Sequence, residues 1–84
     1  MRRGAEFLEG RDAALVYIAR KLREALKLEE LLTASEVDYV VEPGEYLGGF
    51  LFRTTRVGAF FYVDPDAEEH ARLLLAEHGY KPAV

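Results

Sequence analysis

"VDYVVEPGEYLGGFLFRTTRVGAFFYV" (Val37–Val63) decides the fold. β-Branched and aromatic residues dominate it, which is strand composition, and two groups of turn residues interrupt it. Pro43-Gly44 suits the inner positions of a type II turn. That turn matches hairpin twist poorly, so a four-residue loop over Glu42–Glu45 is expected. Thr55-Arg56 marks a second reversal. The stretch therefore reads as three strands, at about 37–42, 46–54 and 57–63, joined as an antiparallel meander.

Registers centred on those turns assign the faces. Val41 then pairs with Tyr46, and Phe50 with Phe61; directly opposed residues share a face. Val37, Tyr39, Val41, Tyr46, Phe50, Phe52, Ala59, Phe61 and Val63 fall on a core face. Asp38, Val40, Glu42, Glu45, Leu47, Leu51, Arg53, Phe60 and Tyr62 fall on the other. Gly49 lies between Asp38 and Tyr62 on that face, where an aromatic ring has room to cross it. Two helices cover one face of so small a sheet. The apolar middle of the other face, Val40, Leu47, Leu51, Phe60 and Tyr62, must meet the terminal segments, a second subunit or a ligand, because monomers seldom expose large apolar patches. It is the candidate self-association surface.

Upstream, "DAALVYIARKLREALKLEELLTA" (Asp12–Ala34) reads as one long helix. At 100° per residue, Ala14, Leu15, Ile18, Ala19, Leu22, Ala25, Leu26, Leu28 and Leu32 share an arc opposite Arg20, Arg23, Glu24, Lys27 and Glu30. Such a helix is about 34 Å long, enough to kink near Lys27 or to overhang onto a second subunit. Downstream, "DPDAEEHARLLLAEHGYKP" (Asp64–Pro82) predicts a helix capped by Asp64, with Pro65 in its first turn. Gly79 fits its left-handed end, and Tyr80 supplies the apolar contact that follows. Ala67, Ala71, Leu74 and Leu75 form its inner face. The fold class is α+β in two layers: long helix, three-stranded antiparallel meander, helix. Short flanking strands at Ala5–Glu9 and Tyr80–Val84 would bring it towards a ferredoxin-like split βαβ arrangement.

Eighty-four residues make one domain, which buries only about 60–65% of its unfolded surface. The first ten residues are either a short strand or loosely held. Without cysteine there is no disulfide and no thiolate metal site. Packing or oligomerisation must supply the stability. The net charge of −4 disfavours binding to phosphate backbones, and nucleic acid is not an expected partner. No apolar run reaches the length of a signal peptide core or a membrane span. A soluble, cytoplasmic protein without membrane contact is expected. Asn, Gln, Cys and Trp are absent, and eight Arg accompany three Lys. That depletion of thermolabile residues fits a thermophilic source.

Chemistry-bearing groups are sparse. His70 and His78 lie eight apart on the last helix, whereas helical metal ligands need a spacing of three or four. Asp64, Asp66, Glu68 and Glu69 sit at a helix start, where capping and the helix dipole account for them. Ser35 is the only serine, and nothing resembles a nucleophile elbow. "YLGGF" lacks the phosphate-loop pattern. "RVGAFFYV" (Arg56–Val63) departs from the RNA-recognition pattern, because Val57 separates the basic residue from Gly58. No catalytic residue, metal ligand or cofactor is assigned. One candidate anion site stands out: "RTTR", where Arg53, Thr54, Thr55 and Arg56 place two guanidiniums and two hydroxyls at a hairpin tip.

"LEELLTASEVDYVVE" (Leu28–Glu42) followed by "FFYVDPDAEEHARLLLAEHG" (Phe60–Gly79) resembles small bacterial domains classed as signal-transducing proteins. The shared features are a helix ending in a leucine pair, a short strand, and a strand leading into an alanine- and glutamate-rich helix. The likeness covers about half the chain and implies no catalytic residues. The expectation is a non-enzymatic domain that homodimerises through the outer sheet face and the long helix. The alternative is a regulatory module that binds a small ligand or anion at Arg53 and Arg56.

Overall fold

The quoted stretch folds as one long hairpin rather than three strands. A computed structural model describes residues 1–49, 51 and 53–82. The elements in chain order are β1 (Arg2–Arg3), a 3-10 turn (Ala5–Leu8), β2 (Ala14–Ala19) and α1 (Leu22–Ala34). β3 (Tyr39–Gly48), β4 (Thr54–Val63), a second 3-10 turn (Pro65–Ala67) and α2 (Glu68–Glu77) follow. The class is α+β, with two helices on a mixed four-stranded sheet in the order β1-β3-β4-β2.

Both β2 and β3 run antiparallel to β4, which lies between them. They are therefore parallel to each other, with α1 as the crossover: a split βαβ unit. β1 adds to the far side of β3 in parallel, at Tyr39 and Val40 only. Of the expected flanking strands, Ala5–Glu9 is instead mostly a 3-10 turn, and the strand forms earlier, at Arg2–Arg3. Residues 80–82 have no regular structure, and residues 83–84 lie outside the described residues.

The expected turn at Pro43-Gly44 is the middle of a strand. Pro43 opposes Ala59 and Gly44 opposes Gly58 in an unbroken ladder from Val40 to Gly48. Beyond Val40, β3 is a sheet edge, where a residue without an N–H leaves no ladder position unfilled. The chain reverses between Gly48 and Thr54 instead, and Gly49 takes the left-handed φ of 109°. Thr55-Arg56, the other expected turn, lies inside β4.

The long helix from Asp12 is a strand joined to a helix. In β2 the register slips between Leu15 and Tyr17, so Val16 is a β-bulge. The bulge puts the buried residues Val16 and Ala19 three apart, which imitates helical spacing in the sequence. Arg72 of α2 donates from Nη2 to the Leu15 carbonyl beside the bulge, at 3.0 Å.

Between sheet and helices, Val16, Ala19, Tyr39, Phe61 and Val63 meet Ala25, Leu28 and Leu32 of α1 and Ala71 and Leu75 of α2. The small Ala25 and Ala71 let the helices approach closely. Both helices end in the same two bonds. After α2, the Tyr80 amide donates to Leu75 O (2.9 Å) and Gly79 to Ala76 O (3.1 Å). After α1, Val37 donates to Leu32 O (2.9 Å) and Glu36 to Thr33 O (3.1 Å). Gly79 takes φ 82° as expected, while Glu36 occupies the matching position at φ 59° with a side chain.

Candidate functional site

The continuous β3–β4 ladder fixes which side chains share a face. Tyr39, Val41, Phe61 and Val63 point to the helices. Tyr46 does not join them: with no turn at Pro43-Gly44, parity carries it to the outer face, across from Arg56. Phe50 and Phe52, the other expected members of the core row, lie outside the described residues.

The candidate self-association surface divides for the same reason. Val40, Phe60 and Tyr62 share the outer face. Leu47 opposes Thr55 on the helix side, and Leu51 sits in the 49–53 connection, 81% exposed. Val40 is already buried within the chain. Leu8 is buried too, and neither residue belongs to the core between sheet and helices. The 3-10 turn that carries Leu8 lies against β3, so the N-terminal connection covers the inner end of the outer face.

Further along that face, aromatic rings lie across glycines. A Cβ at Gly44 would meet the Phe60 ring at 2.8 Å. One at Gly58 would meet Tyr46 and the Ala19 carbonyl at 3.0 Å, and one at Gly48 would meet the Arg56 side chain at 3.0 Å. Gly49 was the glycine expected to underlie a ring; the direct pair Gly44–Gly58 takes that role. Its signal in the sequence is that both glycines sit among strand-forming residues.

RTTR forms no four-residue cradle. Arg53 belongs to the connection, and Thr54, Thr55 and Arg56 begin β4. Successive strand residues point to opposite faces, so Arg56 shares the outer face with Thr54 but not with Thr55. The partner that the fold brings to Arg56 is Tyr46, and over Tyr46 lies Arg20, from the β2–α1 junction, with its guanidinium carbon 5.5 Å from the ring centroid. Arg20 is held from behind, since its amide donates to Glu24 Oε1 at 3.1 Å. Glu24 also accepts from the Tyr17 hydroxyl at 3.0 Å. Burial, and then this bond to Glu24, push the Tyr17 pKa up to about 12.

Besides Leu51, several large apolar residues are exposed on the helix side. Leu22 and Leu26 of α1 are 76% and 51% exposed, and Leu47 and Val57 of the hairpin 62% and 67%. A groove of about 300 Å³ runs between Leu22 and Val57, lined also by Arg20, Ala25, Pro43 and Ala59 among others. Ten-residue strands are about 34 Å long. The thirteen-residue α1 spans only about 20 Å. The outer half of the hairpin therefore reaches past the helices, and between residues 42 and 48 and between 54 and 57 no side chain is buried.

His70 and His78 are both exposed. His78 Nδ1 lies 3.0 Å from Leu74 O, and His70 lines a shallow groove with Arg11, Asp64 and Asp66. Asp64 caps the turn before α2, as expected: it accepts from the Asp66 amide at 2.9 Å and pairs with Arg11. The Asp66 amide, with Arg11 beside it, holds the Asp64 carboxyl below the usual carboxylate range. Among the described residues no group of three His, Asp or Glu side chains is placed to hold a metal ion, and no helix is long and apolar enough to cross a membrane. No family model matches the chain, and neither a curated protein nor a solved structure matches it.

Proposed function

We propose that this chain is a non-enzymatic interaction domain that pairs with a second copy of itself through the outer half of the hairpin and the exposed start of α1. The observation that carries the reading is the overreach of the hairpin. Leu47 and Val57 stand exposed on its helix-side face, Val57 borders a groove with Leu22 of α1, and Leu26 is exposed one turn further along that helix. A two-stranded ribbon alone in water is marginally stable, and a second copy supplies the missing layer.

The sheet edges favour pairing by faces over pairing by strands. β3 carries Pro43 on its edge, and β2 is six residues long, bulged, and occupied at Leu15 by Arg72. These are the devices that discourage strand addition. The charges beside the groove are of both signs. Lys21 lines it, Glu45 opposes Val57 across the hairpin, and among the described residues neither has an ion-pair partner. A two-fold axis sets such a patch against itself, lysine to glutamate on both sides. A standard interface buries about 800 Å² per partner, a modest share of the 6024 Å² this chain exposes.

Light scattering at micromolar concentration is the test. Twice the 9.5 kDa chain mass is expected, and Leu47→Asp with Val57→Asp should return it to one chain with its circular dichroism intact. Leu73→Asp, equally exposed but on α2, should leave the dimer in place. A parent protein that stays monomeric at all concentrations overturns the reading.

A further inference from the structure

We propose that the open cavity beside the edge of β2 binds a small molecule with a carboxylate or phosphate at one end and a hydrogen-bond-donating group, such as an amine, at the other. The cavity holds about 450 Å³ and is lined by Tyr17, Ile18, Arg20, Glu24, Gly79 and Lys81. This is small-ligand size.

Its two cations come from opposite ends of the chain, and each is placed by its own device. Arg20 is fixed by Glu24 at its amide and by the Tyr46 ring at its guanidinium. A ring engages the flat face of a guanidinium and leaves the N–H groups on its rim free for a planar, two-point grip on an oxyanion. Among the described residues no acceptor fills those donors. Lys81 is brought back towards β2 by the left-handed turn at Gly79, and Tyr80 pins that turn by packing edge-on against Tyr17 at 5.4 Å. Lys81 likewise has no carboxylate partner among the described residues. The Arg20 guanidinium is held against Tyr46 before a ligand arrives, so little ordering of that group opposes binding.

Glu24 sets the second requirement. Its carboxylate lies in the same lining and would repel a simple dianion. One oxygen takes the Arg20 amide and the other the Tyr17 hydroxyl, yet a carboxylate has about four lone-pair sites. A donor on the ligand satisfies what remains. Tyr17 stays neutral at physiological pH, since its pKa is pushed up to about 12, and adds no further negative charge.

The test is a titration of the intact chain followed by amide resonances. The probes are phosphoethanolamine and β-alanine, which carry both ends, and inorganic phosphate and acetate, which carry one. Saturable shifts at Tyr17, Arg20, Gly79 and Lys81 are expected with at least one two-headed probe, and weaker ones with its one-headed partner. Whichever of the two pairs binds tighter identifies the anion. Arg20→Ala and Lys81→Ala should each weaken binding about tenfold or more, and Lys27→Ala, on the exposed side of α1, should not. The proposal is overturned if neither two-headed probe saturates below about 10 mM, or if the Arg20→Ala, Lys81→Ala double variant titrates like its parent. Arg20 also borders the groove at Leu22 and Val57, but Tyr17, Gly79 and Lys81 do not. Shifts at those three residues and the Lys81→Ala variant therefore keep this outcome readable if a dimer fails to form.

Discussion

The inner and outer halves of one hairpin share a ladder and differ in everything else. In the inner half, Tyr39, Phe61 and Val63 are buried beneath α1 and α2. In the outer half, from Pro43 to Gly48 and from Thr54 to Val57, the same strands continue in the same register with no buried side chain. The cause is reach: a helix rises less than half as far per residue as a strand. Hydrogen bonding therefore extends along the whole hairpin, but hydrophobic stabilisation is confined to half of it. The outer half depends on Phe60 and Tyr46 lying over glycines and, under the proposed function, on a second copy.

The sharpest way to break this comparison is to truncate one apolar residue in each half. Phe61 is fully buried, and Phe61→Ala should cost about 3–5 kcal/mol of unfolding free energy. Val57→Ala should stay within about 0.5 kcal/mol for the isolated chain. Denaturant titrations at low protein concentration measure both. Comparable losses would mean that the outer half belongs to the core. Next in size is Gly58, at the boundary. An added Cβ would meet Tyr46 and the Ala19 carbonyl at 3.0 Å, and backbone cannot yield as a side chain can. Gly58→Ala should cost about 1–3 kcal/mol, the range of overpacking. At Gly44 the obstacle is the half-exposed Phe60 ring, which can swing away, so Gly44→Ala should cost less.

The division between halves also explains what was legible in the sequence. The class, the last helix with its Asp64 cap and Gly79 end, and the core placement of Tyr39, Val41, Phe61 and Val63 follow from local rules. Two tertiary features overrode local ones. Pro43-Gly44 is a turn signal wherever the chain is free to turn; here it occupies an edge, with Gly58 opposite. That single misreading flips the parity of Tyr46 and Leu47 and splits the expected association surface. The Val16 bulge likewise gives a strand the spacing of a helix. The cavity between Arg20 and Lys81 was not legible, because residues 61 positions apart meet only through the sheet order.

Alkaline pH probes the helix-packed region through two tyrosines. Burial, and then Glu24, raise the pKa of Tyr17 to about 12; burial also raises that of Tyr39, where Glu29 accepts its hydroxyl proton at 3.0 Å. In the unfolded chain both titrate near 10. Between those values the unfolded state has lost protons that the folded state keeps, so stability is full below about pH 10 and falls as pH rises towards about 12. Tyr17→Phe should remove part of that fall, and Tyr39→Phe a further part. A melting temperature flat across this window would show that neither hydroxyl is held as described.

A smaller effect separates the two helix ends that frame the inner half. They make the same bonds, but Glu36 holds the left-handed position that Gly79 holds after α2. A side chain there costs about 1 kcal/mol. Glu36→Gly should therefore stabilise the fold by about that amount, and Gly79→Ala should destabilise it similarly. A loss of stability in Glu36→Gly would reveal a role for its carboxylate that no contact of this structure explains.

The smallest effect on folding, and the most telling for function, lies in the outer half. Leu47→Ser with Val57→Ser removes two exposed side chains and should change the stability of the dilute chain by less than about 0.5 kcal/mol. Hydrogen exchange then separates a free arm from a partnered one. In the monomer, amides of residues 44–48 and 54–57 should exchange by local opening, well ahead of residues 59–63, which wait for global unfolding. Raising the concentration of the parent protein should slow the outer amides, because a second copy holds them closed, and the inner amides with them, because a paired chain must dissociate before it unfolds. In the double serine variant the outer amides should stay fast at every concentration. If concentration slows the inner amides and leaves the outer ones fast, the pairing uses some other surface. If it slows neither, the arm is free in solution and the overreach of the hairpin has another use.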